Sequence, residues 1–189
     1  MREVYRDRWL VVVDKPSGLP TQAGRDGRPG VFERLRAQEA YVGLHHRLDT
    51  PASGLVLLSL DRAANVNLSL AFKQHTIERT YAVWVLGRPG QGSWRADLDD
   101  KAAITHFESL APGRISRLTV RLETGRTHQI RRHAQTAGHP VIGDRRHGGA
   151  AGTLHPRLAL HAWKLHLKHP VTGEDLHLEA PIPADLERL

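Results

Sequence analysis

Ten polar and turn-forming residues, His45-His46-Arg47-Leu48-Asp49-Thr50-Pro51-Ala52-Ser53-Gly54, run straight into Leu55-Val56-Leu57-Leu58-Ser59-Leu60. An apolar run of that length bounded by turn signals reads as a buried strand. The stretch before it is then a loop that feeds the core, with Asp49 at its mouth. A carboxylate in that position beside an arginine is either half of a structural ion pair or a working group. The rest of the chain can be asked which of these it supports.

Further short strands read out along the chain. Trp9-Leu10-Val11-Val12-Val13-Asp14 is a β-branched run, closed by the turn residues Lys15-Pro16-Ser17-Gly18-Leu19-Pro20. Residues 21–30 are rich in Gly, Arg and Asp and are expected to form a mobile loop. A short helix fits residues 31–38, with Val31, Phe32 and Leu35 inward. Asp61 is an N-cap for a helix over 62–73 whose Ala63, Val66 and Leu70 share one face. Arg79 to Leu86 reads as a strand and 87–100 as a loop or short hairpin connection. Ala103 to Phe107 is another strand. Ile115 to Glu123 alternates, with Leu118, Val120 and Leu122 on one side. Thr127 is the expected N-cap of a helix that presents Ile130, Ala134 and Ala137 and stops at Gly138. In the stretch from Arg157 to Lys168 the apolar parity changes, which predicts a bulge near residue 162. A short strand, Asp175 to Glu179, comes last. Many strands and few helices, without a βαβ rhythm, predict an α+β fold with a mixed, largely antiparallel sheet. At 189 residues one domain is expected.

Composition narrows function. The net charge is +7, which points to a polyanionic partner, most simply a nucleic acid. With no cysteine, disulfides, thiolate metal sites and cysteine nucleophiles are excluded. The first residues lack the apolar core of a signal peptide, and no stretch reaches the length of a membrane span. No membrane association and a cytoplasmic location are expected.

An aspartate carboxyl free in water has a pKa of ~3.9; an arginine would hold and orient the carboxylate at position 49. Arg47, Arg126, Arg131 and Arg132 are the candidates. Tyr81 fits either a core position or a platform for a base. Residues 126–147 are the densest basic stretch, with Arg126, His128, Arg131, Arg132, Arg145, Arg146 and His147 among glycines that let backbone approach a phosphate. The chain has 13 histidines. His45, His46 and Asp49 could ligate a divalent ion, as in a metal-dependent phosphodiesterase. His161, His166 and His169 sit on presumed strands beside basic residues and read as surface.

Together these stretches resemble the RluA-type pseudouridine synthase family. The match is carried by His46-Arg47-Leu48-Asp49-Thr50-Pro51-Ala52-Ser53-Gly54, by Arg79-Thr80-Tyr81, and by Thr124-Gly125-Arg126-Thr127-His128-Gln129-Ile130-Arg131 followed by Gly138-His139-Pro140-Val141-Ile142-Gly143-Asp144. Weaker echoes are Lys15-Pro16-Ser17-Gly18-Leu19 near the start and Leu160-His161-Ala162 near the end. At His147 the family usually has an aromatic residue.

The resemblance implies a curved, mostly antiparallel sheet with flanking helices and a central basic cleft. It makes Asp49 the catalytic aspartate, Tyr81 the platform for the uracil and Arg131 the partner of Asp49. Arg47 would enter the space left by a flipped uridine, and His46, Arg126, His128 and Gln129 would line the RNA site. It implies no metal and no organic cofactor, ribosomal or transfer RNA as partner, and no obligatory protein partner; a monomer is expected. Because the motifs begin early, an extra N-terminal RNA-binding domain is not expected. Two other readings remain open from the residues. A non-catalytic RNA-binding or RNA-folding module predicts binding without turnover, and the phosphodiesterase predicts strand cleavage sensitive to a chelator.

Overall fold

The computed structural model describes residues 1–24, 27–111 and 113–189. Arg25 and Asp26, inside the loop expected over 21–30, lie outside the described residues. The chain divides into two compact units. One is residues 1–78 with 162–180; the other is 79–161 with 181–189.

The first unit contains β1 (Arg2–Arg6), β2 (Leu10–Lys15), α1 (Val31–Arg36), β3 (Gly43–Leu44), β4 (Ser53–Ser59) and α2 (Arg62–Lys73). It ends with most of β9 (Leu160–Lys168) and with β10 (Asp175–Glu179). The strand order is β1-β2-β4-β9, with β3 on β4 and β10 on β9. The pairings β1–β2, β2–β4, β3–β4 and β9–β10 are antiparallel. All seven residues of β4 are buried, as its unbroken apolar run requires. Register places Val12 opposite Leu57. These two pack with Leu10, Leu55, Leu165, Leu167, Ile77 and Leu68 into the core of this unit. Burial at ~25 cal/mol per Å² makes such a cluster the main stabilising contribution.

Asp61 caps α2 as expected, accepting from the N–H groups of Ala63 and Ala64. The buried face of that helix is a correction, however. Ala64 and Leu68 point inward, while Val66 is 65% and Leu70 49% exposed. Two apolar stripes compete on this helix at similar spacing, and the one packed on the sheet includes Leu68, with Ala71 and Phe72 partly buried against it. In α1, Val31 and Leu35 are buried and Phe32 half-buried.

The second unit carries β5 (Glu78–Leu86, its first residue in the other unit), β6 (Gln91–Asp97), β7 (Ala102–Ala111), β8 (Ile115–Leu122), α3 (Gln129–Thr136), a 3-10 turn (Gly149–Thr153) and α4 (Ala184–Glu187). Its strands run β5-β8-β7-β6, each antiparallel to the next. Leu118 and Val120 are buried as the alternation predicts. Of the loop or short hairpin connection expected over 87–100, the hairpin holds and is longer than expected, because Gln91–Asp97 pairs with β7 along its whole length. As the last strand in that order and exposed at most positions, it needs no apolar pattern; pairing imposes its conformation.

Three smaller expectations change as well. The residue before α3 is His128, at φ 52°, rather than Thr127 as N-cap, and Ala137 is exposed. His161 and His169 are buried. His169 Nε2 donates to Asp7 Oδ2 at 2.8 Å while its Nδ1 accepts from the N–H groups of Val171 and Thr172, so it ties a turn rather than facing solvent. The parity change near residue 162 falls where β9 passes between the units, and Leu160, His161 and Ala162 are all buried.

Candidate active site

Asp49 opens a turn, its carbonyl accepting from the Ala52 N–H at 3.0 Å. The loop around it is clamped by residues 15–21. Thr21 Oγ1 donates to the Leu48 carbonyl at 2.9 Å and accepts from the Leu48 N–H at 3.0 Å. Gly18 N–H donates to Thr50 O at 2.8 Å, and Ser17 Oγ to Pro51 O at 2.7 Å. Lys15 is fully buried, and its Nζ reaches the carbonyls of Pro16, Leu19, Thr50 and Ala52. A buried ammonium is tolerated when its donors are satisfied, and here they bind both sides of the turn together. Asp49 is therefore presented half-buried, on a backbone held at Leu48, Thr50, Pro51 and Ala52.

Gly54 follows at φ 109°, and a Cβ there would lie 2.3 Å from the Ala162 carbonyl oxygen. Only glycine lets β4 leave the turn this close to β9. Arg47 is exposed, two residues before Asp49. His46 faces inward: its Nε2 accepts from the Leu57 N–H at 2.9 Å and its ring lies 5.1 Å from that of Phe72. His45 stacks on Phe72 too, at 5.8 Å, and its two nitrogens meet Ser59 and Ser69 hydroxyls. Burial pulls the His45 pKa down to about 4, so the ring is neutral at pH 7. Both histidines thus anchor the loop. Among the described residues, no group of three or more His, Asp or Glu side chains is arranged to hold a metal ion.

The remaining expected residues, Tyr81, Arg126, His128, Gln129 and Arg131, belong to the second unit. Tyr81 is 5% exposed, on β5. It lies opposite Val120, which lies opposite Phe107, so all three share one face of the sheet. Thr105 is on that face too, and its hydroxyl meets Gln129 Nε2 at 3.0 Å and His133 Nδ1 at 2.9 Å, both on α3. Hence α3 packs on the face that carries Tyr81. Gln129 also donates to Ile104 O and accepts from Thr124 Oγ1 and the Arg126 N–H. Its amide is engaged in docking the helix. Arg126 Nε donates to Ala102 O at 3.3 Å.

Arg131 is 5% exposed and bidentate on Asp144, Nε to Oδ2 and Nη2 to Oδ1, both at 2.8 Å. Asp144 Oδ1 also accepts from the N–H groups of Arg146 and His147, at 3.0 Å each. Burial by itself raises the Asp144 carboxyl; the Arg131 guanidinium and the two N–H donors outweigh it and hold the group below its ordinary value. Reading the sequence missed Asp144 as the residue that orients Arg131, and Lys15 as the loop's clamp. Each had a signal, Gly143-Asp144 after the helix and Lys15-Pro16 at a strand end, but neither signal names its partner.

Comparison with known proteins bears on what this arrangement does. Residues 9–136 match the family model described as RNA pseudouridylate synthase. The chain is 37% identical to the tRNA pseudouridine synthase C of Yersinia pestis, over 94% of this chain and 84% of that protein. It is 33% identical to the dual-specificity RNA pseudouridine synthase RluA of Haemophilus influenzae, over 94% and 91%. Among solved structures, human RNA pseudouridylate synthase domain containing 1 has the same fold, with a TM-score of 0.78 at 24% identity over 95% of this chain and 82% of that one.

Proposed function

This chain belongs to the RNA pseudouridine synthase family and is an isomerase of uridine in RNA, and we propose that Asp49 is its catalytic carboxylate. The reaction breaks the N1–C1′ bond of uridine, turns the base and joins C5 to C1′, while the C5 proton leaves and N1 gains one. No electrons are transferred and no water is consumed, so the chemistry requires neither metal nor organic cofactor. It does require a carboxylate, as a nucleophile toward sugar or base or as the base for a ribose proton. The observation that carries the assignment is the clamped turn, which presents Asp49 on a backbone held from both sides.

In this reading Arg131, gripped by Asp144 through Nε and Nη2, is the arginine that serves Asp49. A guanidinium seated in advance stabilises developing charge without reorganising during reaction. Tyr81 stacks on the detached uracil. A stacked uridine must first be flipped, at a cost of a few kcal/mol. Exposed Arg47, near Asp49 in sequence, fills the gap, and the chain's excess of basic residues favours contacts to phosphates. The name of the Yersinia pestis relative supports transfer RNA as substrate, and the family resemblance adds ribosomal RNA. The enzyme works as a monomer in the cytoplasm.

The test uses transfer and ribosomal RNA pools carrying tritium at uridine C5. Wild type should release tritium from at least one pool, with a chelator present, and Asp49→Asn should bind that RNA and release none. Turnover by Asp49→Asn would remove Asp49 from the mechanism.

A further inference from the structure

The loop after Asp144 makes a contact that the uridine chemistry does not use. His147 Nε2 lies 2.9 Å from His128 Nδ1, with the rings edge to face and their centroids 5.1 Å apart. His128 is the residue from which α3 starts, at φ 52°, a left-handed conformation uncommon outside glycine. These contacts close a ring. His128 leads into the helix that carries Arg131. Arg131 grips Asp144. Asp144 accepts from the N–H of His147, and the His147 ring returns to His128.

A hydrogen bond between two imidazoles needs one N–H and one lone pair. With no proton added, or with one, that requirement is met. A second added proton turns both facing nitrogens into donors and breaks the bond. The charges around His147 oppose that proton: Arg131 and Arg132 come from α3 and Arg146 from its own loop, with Asp144 alone in favour. Burial and these arginines hold the His147 ring below the ordinary histidine value. The bonded state therefore persists through neutral pH.

We propose that His128 and His147 are positioning residues for Arg131, and that their shared hydrogen bond gives turnover an acid limit at which the ring opens. This rests on the reading that Arg131 serves Asp49.

The experiment measures tritium release against pH for wild type, His147→Ala and His147→Gln in the full chain, with thermal melts to confirm that each variant folds. Nitrogen-15 spectra of the histidine rings are recorded over the same pH range. His147→Ala should lower kcat by about tenfold or more, the scale of a slightly misplaced catalytic group, and leave KM for RNA within about twofold. His147→Gln keeps an amide that can bond His128 but cannot titrate in this range. It should recover most of kcat and move the acid limb to lower pH. In the spectra, His128 and His147 of wild type should titrate as one coupled pair, and His128 should titrate singly in His147→Gln.

An unchanged kcat and acid limb in His147→Ala would overturn the proposal. So would a rise in KM alone, which would make His147 an RNA contact, or equal loss in the Ala and Gln variants, which would leave only ring packing. Independent titration of the two rings would overturn it even without a substrate. An Asp49→Asn variant that retains turnover, or a wild type that modifies neither RNA pool, would instead strike the underlying reading of the site.

Discussion

Lys15 shows how much one buried side chain can decide. Its ammonium binds carbonyls on both its own segment and the Asp49 turn, 35 and 37 residues further along the chain. Removing the charge while keeping the volume leaves several carbonyls without a donor. Lys15→Met is expected to destabilise the fold by about 2–4 kcal/mol, read from the midpoint of urea unfolding. The variant should also lose turnover under conditions where it remains folded, because the turn no longer holds Asp49. His45 makes a different prediction at the same scale. Its pKa is about 4 when folded, by burial, against an ordinary 6.5. The unfolded chain therefore takes up a proton that the folded chain refuses. Stability that is full above pH ~6.5 is lost as pH falls toward ~4. Between pH 7 and pH 4 the melting temperature of wild type should fall relative to that of His45→Gln, since the variant lacks this proton uptake.

At the scale of elements, α2 is a case where the helix was certain and its orientation was not. Asp61 and the run to Lys73 specify its limits. Either apolar stripe could have faced the sheet, and the core took Leu68. Leu68→Ala should cost about 2–5 kcal/mol and Val66→Ala within about 0.5 kcal/mol, a contrast that equilibrium unfolding resolves readily. β6 is the complementary case. Its sequence carries little strand signal, and seven successive pairs with β7 create it. α3 links element to chemistry: Gln129 and His133 dock it on Thr105, and Arg131 is thereby directed at Asp144.

At the scale of the whole molecule, charge is the property that acts. The excess of 27 Lys and Arg over 20 Asp and Glu draws the chain toward RNA whatever the site does. Neutralising about four phosphates would give a log–log dependence of affinity on salt with slope of about −3. Filter binding of transfer RNA between low and physiological salt should show a fall at least that steep. A flat response would place recognition in neutral contacts. No helix among the described residues is long and apolar enough to cross a membrane.

By itself the sequence determined what is local: strand runs such as β2, β4 and β8, the capped limits of α2, and the spacing that put Asp49 in a turn before a buried strand. These follow from period, propensity and turn chemistry within a few residues. Tertiary structure decided what depends on distant partners. It chose the buried face of α2, turned Gln91–Asp97 into a strand, buried His161 and His169, engaged Arg131 with Asp144, and set Lys15 beneath the Asp49 turn. In each case the deciding energy is a packing contact or hydrogen bond between segments far apart in the chain, and no local pattern encodes its other half.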